Sequence, residues 1–223
     1  MTASPGSVPA TALAVSNPAV DVDSDLAALA AFALGHGAAR AEPVDARHVV
    51  VDEHVARTAH RSGCDGSCSS LMSPPYSPGA EQFAGWLAGF ERGVLVQVAV
   101  EATPELAALA QGAGGWCCDL AALRRTEAYE ATLAPLWRTL HDVVSRVERE
   151  AMRRGYYLSV GLVAGDCELC AACDPSGLCR NPLAARPSLE AVGVDVGRTL
   201  RNAGWDEAET GRHAVRTGLV LVV

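Results

Sequence analysis

Aromatic residues are scarce in this chain, at 5% of 223 residues. Hydrophobic residues still reach 49%, and much of that is Ala and Val. The expected core is therefore built from small side chains around a few Trp anchors. Positive charge is scarce as well: 18 Lys+Arg stand against 26 Asp+Glu, a formal net charge of −8. Backbone-directed nucleic-acid binding needs a basic face or stripe. The longest basic clusters here are the pairs Arg124–Arg125 and Arg153–Arg154, which excludes a nucleic-acid footprint and a cationic membrane-binding helix. No apolar run approaches the ~20 residues that span a bilayer. The opening stretch lacks the basic start and apolar centre of a secretory signal. Residues 1–24 read instead as a disordered tail rich in Ala, Ser, Pro and Thr. The expected location is cytoplasmic, where thiols stay reduced. Also missing are an internal repeat, a phosphate-cradling glycine loop, a Ser-His-Asp order, and flavin or nicotinamide fingerprints.

Cysteine is what the chain does have: eight residues, in a compartment expected to be reducing. That combination points to metal or redox chemistry before disulfides. Hydrophobic spacing and turn residues predict helices over 24–37, capped by Asp23 or Ser24, and over 80–90. The longest periodic segment covers 120–154, where Leu133, Leu136, Trp137, Leu140, Val144 and Val147 share one face. Pro135 is expected to kink or split that segment, and Gly155 to stop it. A last helix is expected within 186–204, with Ser188 as its N-cap. Strands are expected over 47–55, 93–100, 156–165 and 216–223. This order predicts one compact α/β domain over 25–223, with a small mixed sheet flanked by helices and Cys-rich loops at strand ends. One loop, 60–79, carries Cys64 and Cys68; the other is the stretch GDCELCAACDPSGLCRNP, residues 165–182. Ligands collect where the strands of α/β sheets end.

Cys167, Cys170, Cys173 and Cys179 follow the pattern Cys-x2-Cys-x2-Cys-x5-Cys. Spacing of x2 in a tight loop aims successive sulfurs at one small volume. Thiolates are soft ligands, and sets of four suit zinc or an iron–sulfur cluster. Three cysteines in succession at x2 spacing favour a [4Fe–4S] cluster, because structural zinc usually takes two separated x2 pairs. The bacterial ferredoxin run has Cys-x3 before its last Cys and a Pro directly after. Here the last Cys comes two residues later, and Pro182 lies three beyond it. An iron–sulfur core on four thiolates is anionic, so Arg180 and Arg186 beside the cluster are candidates to stabilise it. His60 and His54 stand close to Cys64 and are weaker candidates. Cys117 and Cys118 are adjacent, a poor arrangement for aiming two sulfurs at one ion. Glu190 and Asp195 are read as capping and surface residues, or as proton acceptors near a bound substrate.

The stretch 165–196 resembles a family of predicted metal-binding proteins, the domain of unknown function numbered 2284. Its members read Gly-x-Cys-x2-Cys-x2-Cys, then Cys-Arg-x-Pro, then Arg-Pro-Ser-x-Glu-Ala-x-Gly-x-Asp-Val. Gly165, the four cysteines, Arg180, Pro182, Arg186, Pro187, Ser188, Glu190, Ala191, Gly193, Asp195 and Val196 stand at those places. The resemblance covers residues 45–223 and implies metal binding. The family's first loop carries Cys-x3-Cys and a third Cys before Pro-Pro. Cys64 and Cys68 match the pair as a possible second site, and Ser73 stands at the third place. Three functional readings follow. The first is an iron–sulfur protein serving a redox partner protein by electron transfer. The second is a structural zinc module. The third is an enzyme whose cluster binds substrate at an open iron position.

Overall fold

The computed structural model describes residues 21–61, 70–101, 127–170, 173–205 and 213–223. Helix α1, Val22–Gly35, is capped by the Asp21 carboxylate, which accepts from the Ser24 N–H. It leads into β1, Arg40–Asp45, and a short 3-10 turn at Ala46–His48. Helices α2, Glu53–Arg61, and α3, Ala80–Leu87, precede strand β2, Arg92–Glu101. The long helix α4, Glu127–Arg153, runs through Pro135 without a break in helical assignment. Strand β3, Ser159–Val163, helix α5, Val196–Asn202, and strand β4, His213–Val222, complete the chain.

The strands form one sheet in the order β1-β2-β4-β3, with every ladder antiparallel. The expected α/β class and single unit are present, but the sheet is antiparallel where a mixed sheet was expected. The cause is connectivity. The last strand inserts between β2 and β3 and opposes both, so no pair is linked by a parallel crossover. Three boundaries also differ. Residues 47–55 do not form a strand: the paired residues lie earlier, at β1, and Glu53 already starts α2. The 186–204 stretch is helical only over α5, capped by Asp195 accepting from the Arg198 N–H, so Ser188 caps no helix there. The first helix starts ahead of both expected caps.

Both faces of the sheet are covered. On β2, Val94, Val96 and Val98 point to one side with Val220 and Val222 of β4. Leu95, Leu219 and Leu221 point to the other. That is the period-2 alternation of a strand, and because both sides are buried the strands read as nearly unbroken apolar runs. The first side packs against α1 and α4, through Leu26, Leu29, Leu133, Trp137, Leu140, Val144 and Val147. The predicted face of the long helix is thus the buried one. The second side is closed by Phe83 of α3, Leu200 of α5, Trp205 and the turn residues Leu189, Val192 and Val194. Arg154 and the Tyr156 hydroxyl both donate to the Asp25 carboxylate, at 3.0 and 3.2 Å, which joins the end of α4 to α1. Among the described residues no helix is long and apolar enough to cross a membrane.

Close packing makes glycine positions unequal. A Cβ on Gly218 of β4 would lie 2.5 Å from Val144 and 3.0 Å from Val96, whereas one on Gly85 in α3 meets nothing within 4 Å. Gly218→Ala should therefore cost about 1–3 kcal/mol through overpacking. Gly85→Ala should stabilise by about 0.5–1 kcal/mol, since glycine is a poor helix residue. Urea denaturation midpoints of the two variants should move in opposite directions.

Candidate metal centre

The cysteine segment begins where β3 ends. Gly165 has φ +82°, and its Cα faces the Trp137 ring so closely that an added Cβ would lie 2.2 Å from it. Glycine is required twice over, for the left-handed backbone and for the contact with α4. The segment is closed at its base by Glu190, whose carboxylate accepts from the Gly165 N–H at 2.7 Å and the Ser188 hydroxyl at 3.1 Å. The returning chain then runs beside β3: the Val163 N–H donates to the Pro187 carbonyl and the Leu189 N–H to the Val163 carbonyl. Burial pushes the Glu190 carboxyl above its ordinary value, against the pull of the Gly165 N–H, its own N–H, Ser188 and Arg216. Arg216 of β4 is the positive charge on that side, stacked 4.6 Å over the Trp137 ring.

Within the segment the x5 spacer is a turn written in sequence. Asp174-Pro175-Ser176-Gly177 has the Gly177 N–H donating to the Asp174 carbonyl at 3.1 Å. The Asp174 carboxylate accepts from the Ser176 N–H and hydroxyl. Asp, Pro and Gly sit at the first, second and fourth places that suit such a turn. The turn sends the chain back, so that Cys179 joins the other three.

All four cysteines line one small cavity of about 20 Å³, together with Ser70, Leu71, Met72, Asp174, Leu178, Arg180 and Asn181. None of the four is in a disulfide; Cys173 is exposed and the others are half-buried. Asn181 donates from its side-chain amide to the Cys170 sulfur at 3.1 Å and from its backbone N–H to the Cys179 sulfur at 3.4 Å. Burial pushes the Cys167 thiol up to about 11, opposed by a bond from the Leu169 backbone and reinforced by the sulfurs of Cys170, Cys179 and Cys173. A buried thiol with three further sulfurs beside it suits a soft cation, which binds the thiolate form and displaces the proton. The donor set thus fits a thiophilic metal or cluster. Among the described residues no three Cys, His or acidic groups close tightly around a single point as they stand.

A family described as predicted metal-binding proteins, domain of unknown function 2284, matches residues 42–222. The chain belongs to this family. No curated protein and no solved structure matches it.

The family motif can now be read in space. Arg180 lines the cavity. Arg186 does not; its guanidinium pairs with Glu148 on α4 and donates to the Leu183 and Ala185 carbonyls. Glu148 also accepts from the Gly161 N–H at 2.9 Å, so one helix residue anchors both β3 and the returning leg. Glu190 is the clasp of the segment and Asp195 the N-cap of α5. The end of the first loop meets the site: the Ser188 N–H donates to the Met72 carbonyl at 3.2 Å, and Ser70, Leu71 and Met72 line the cavity. Ser73, at the family's third Cys place, is buried beside the Ser70 hydroxyl. Cys64, Cys68, Cys117 and Cys118 lie outside the described residues, as does the side chain of His60. His54 is exposed on α2 and is not among the cavity residues. Asn181 and Met72 were not foreseen. The variable place in Cys-Arg-x-Pro gives no hint of Asn181, and Met72 arrives from a distant loop.

The returning leg is also held by Ser145, whose hydroxyl donates to the Ala184 carbonyl, and Ala184 and Arg186 lie near His141. That ring is fully buried, and neither nitrogen has a hydrogen bond of good geometry. Burial lowers its pKa from 6.5 to about 4; the Ala184 carbonyl opposes this and the Arg186 charge adds to it. The unfolded chain takes up the proton near 6.5 and the folded chain near 4. Stability is therefore lost as pH falls through that window, by up to about 3 kcal/mol. In urea titrations His141→Leu should lose this part of the pH slope relative to the natural chain. Gly165→Ala should strain the base of the segment and push Trp137 aside. Limited proteolysis should then cut within 165–187 at concentrations that leave the natural chain intact.

Proposed function

We propose that Cys167, Cys170, Cys173 and Cys179 hold a [4Fe–4S] cluster, through which the protein exchanges single electrons with a partner enzyme. The observation that carries this reading is the one cavity lined by all four free cysteines. The succession of three cysteines at x2 spacing favours a cluster over zinc. Bound there, such a cluster supplies one-electron oxidation and reduction at a potential set by hydrogen bonds, nearby charge and exposure. The chain's own part is to position the sulfurs and limit water. The clasp at Glu190 and the turn at Asp174–Gly177 shape the segment whose four cysteines line one cavity. Arg180 contributes positive charge beside an anionic centre. The exposed Cys173 and the exposed Leu178 leave the mouth accessible to a redox partner protein. Cys64 and Cys68 precede Ser70, a cavity residue, by six and two positions. They belong to this reading as ligands of a second site.

The test is compositional. Protein purified without oxygen should be brown and carry about four iron and four sulfide per chain for one cluster, with more if Cys64 and Cys68 hold a second. Cys170→Ser should lose the colour. Cys179→Ser separates electron transfer from substrate binding at an open iron: a labile cluster supports four-cysteine ligation, and a fully retained one supports three. Colourless protein with stoichiometric zinc would overturn the reading in favour of a structural zinc module.

A further inference from the structure

We infer that Asn181 is a positioning residue that sets the negative charge carried by the sulfurs of the metal centre. The inference rests on the metal-binding reading above and specifies how that site is tuned. Two of the four sulfurs receive donors from this one residue: Cys170 from the side-chain amide at 3.1 Å and Cys179 from the backbone N–H at 3.4 Å. A donor aimed at a thiolate draws charge from it, and a bond to an ionised partner is about twice as strong as a neutral one. The effect on a metal held there has a definite sign. Addition of an electron increases the negative charge on the sulfurs, so the donors favour the reduced state and raise the potential. For a metal of fixed valence the same donors offset repulsion among the thiolates and slow its loss.

The donors are held in place from behind. The Asn181 carbonyl accepts from the Ala184 and Ala185 N–H groups at 3.0 and 2.8 Å, closing a turn over Pro182 and Leu183. That turn is fastened to α4 through Ser145 on the Ala184 carbonyl and through the Glu148–Arg186 pair. Asn181 is therefore oriented by the long helix before any metal arrives, so little ordering is required when the sulfurs become charged. Cys173 is exposed to solvent, so the charge distribution is uneven across the four ligands. Asn181 acts on the inner, half-buried part of the set.

The experiment compares the full chain with Asn181→Leu, Asn181→Gln and Asn181→Asp, all purified without oxygen. Circular dichroism reports the fold, metal analysis the stoichiometry, transfer to a chelator the release rate, and redox titration the potential of any iron-bearing form. Asn181→Leu keeps the size and removes the side-chain donor. It should retain the stoichiometry, release metal about 10-fold faster, and shift the potential to more negative values. Asn181→Gln keeps the amide and should recover part of both changes. Asn181→Asp replaces the donor by a negative charge and should exceed the leucine variant in both. If the leucine variant does not fold, the other two decide: the aspartate variant should show both changes more strongly than the glutamine variant. Metal-bound natural protein with variants of unchanged release rate and potential would overturn this inference alone. Natural protein that binds no metal would overturn the metal-binding reading, and this one with it. A zinc-bearing protein still tests Asn181 through the release rate.

Discussion

The Glu190 carboxylate is the contact on which the cysteine segment depends. It joins Gly165, where the segment leaves the sheet, to Ser188, where the segment returns. Both ends of the chain between them are held beside β3, and turns at Asp174–Gly177 and Asn181–Ala184 shape its described interior. An enclosed carboxylate is costly to ionise. This one is supported by several donors and by the Arg216 charge. Arg216 lies against Trp137 and Trp137 against Gly165, so the clasp, the counter-charge and the glycine form one packed unit.

The long helix serves both the core and the site. Its apolar face, centred on Leu140, Val144 and Val147, covers one side of the sheet. A neighbouring strip, His141, Ser145 and Glu148, at helical spacing, meets the returning leg of the cysteine segment. The Glu148–Arg186 pair is enclosed, with the side chains 13% and 12% exposed. Breaking such a pair from one side typically costs about 3–5 kcal/mol, because a charge is left buried alone. The geometry of the sulfurs therefore depends on helix packing some distance along the chain.

Much of this was legible beforehand where a residue acts through its immediate neighbours. The apolar face of α4 and the β2 and β4 runs follow from local spacing and backbone preference. Strand β1 was misplaced because Val49, Val50 and Val51 carry a stronger β signal than Arg40–Asp45. They form an extended link instead, with Val51 bridging to Val194. Ser188 was read as a helix cap because its residue type suits that role. Its hydroxyl does accept from the Ala191 N–H, in a turn without a helix following it directly.

Residue types and spacing alone determined that the chain carries four soft ligands within a short loop, since thiolate chemistry and x2 geometry are properties of the segment itself. They also determined which helix face is buried and that Gly165 begins the loop. Tertiary structure decided the rest. It set the antiparallel sheet order, assigned Arg186 to Glu148 and Arg180 to the cavity, and brought Met72 to that cavity and Asn181 to two of its sulfurs. Those outcomes depend on which distant segments pack together, and a long-range contact is selected by the free energy of the whole packed arrangement, leaving no periodic trace at either residue.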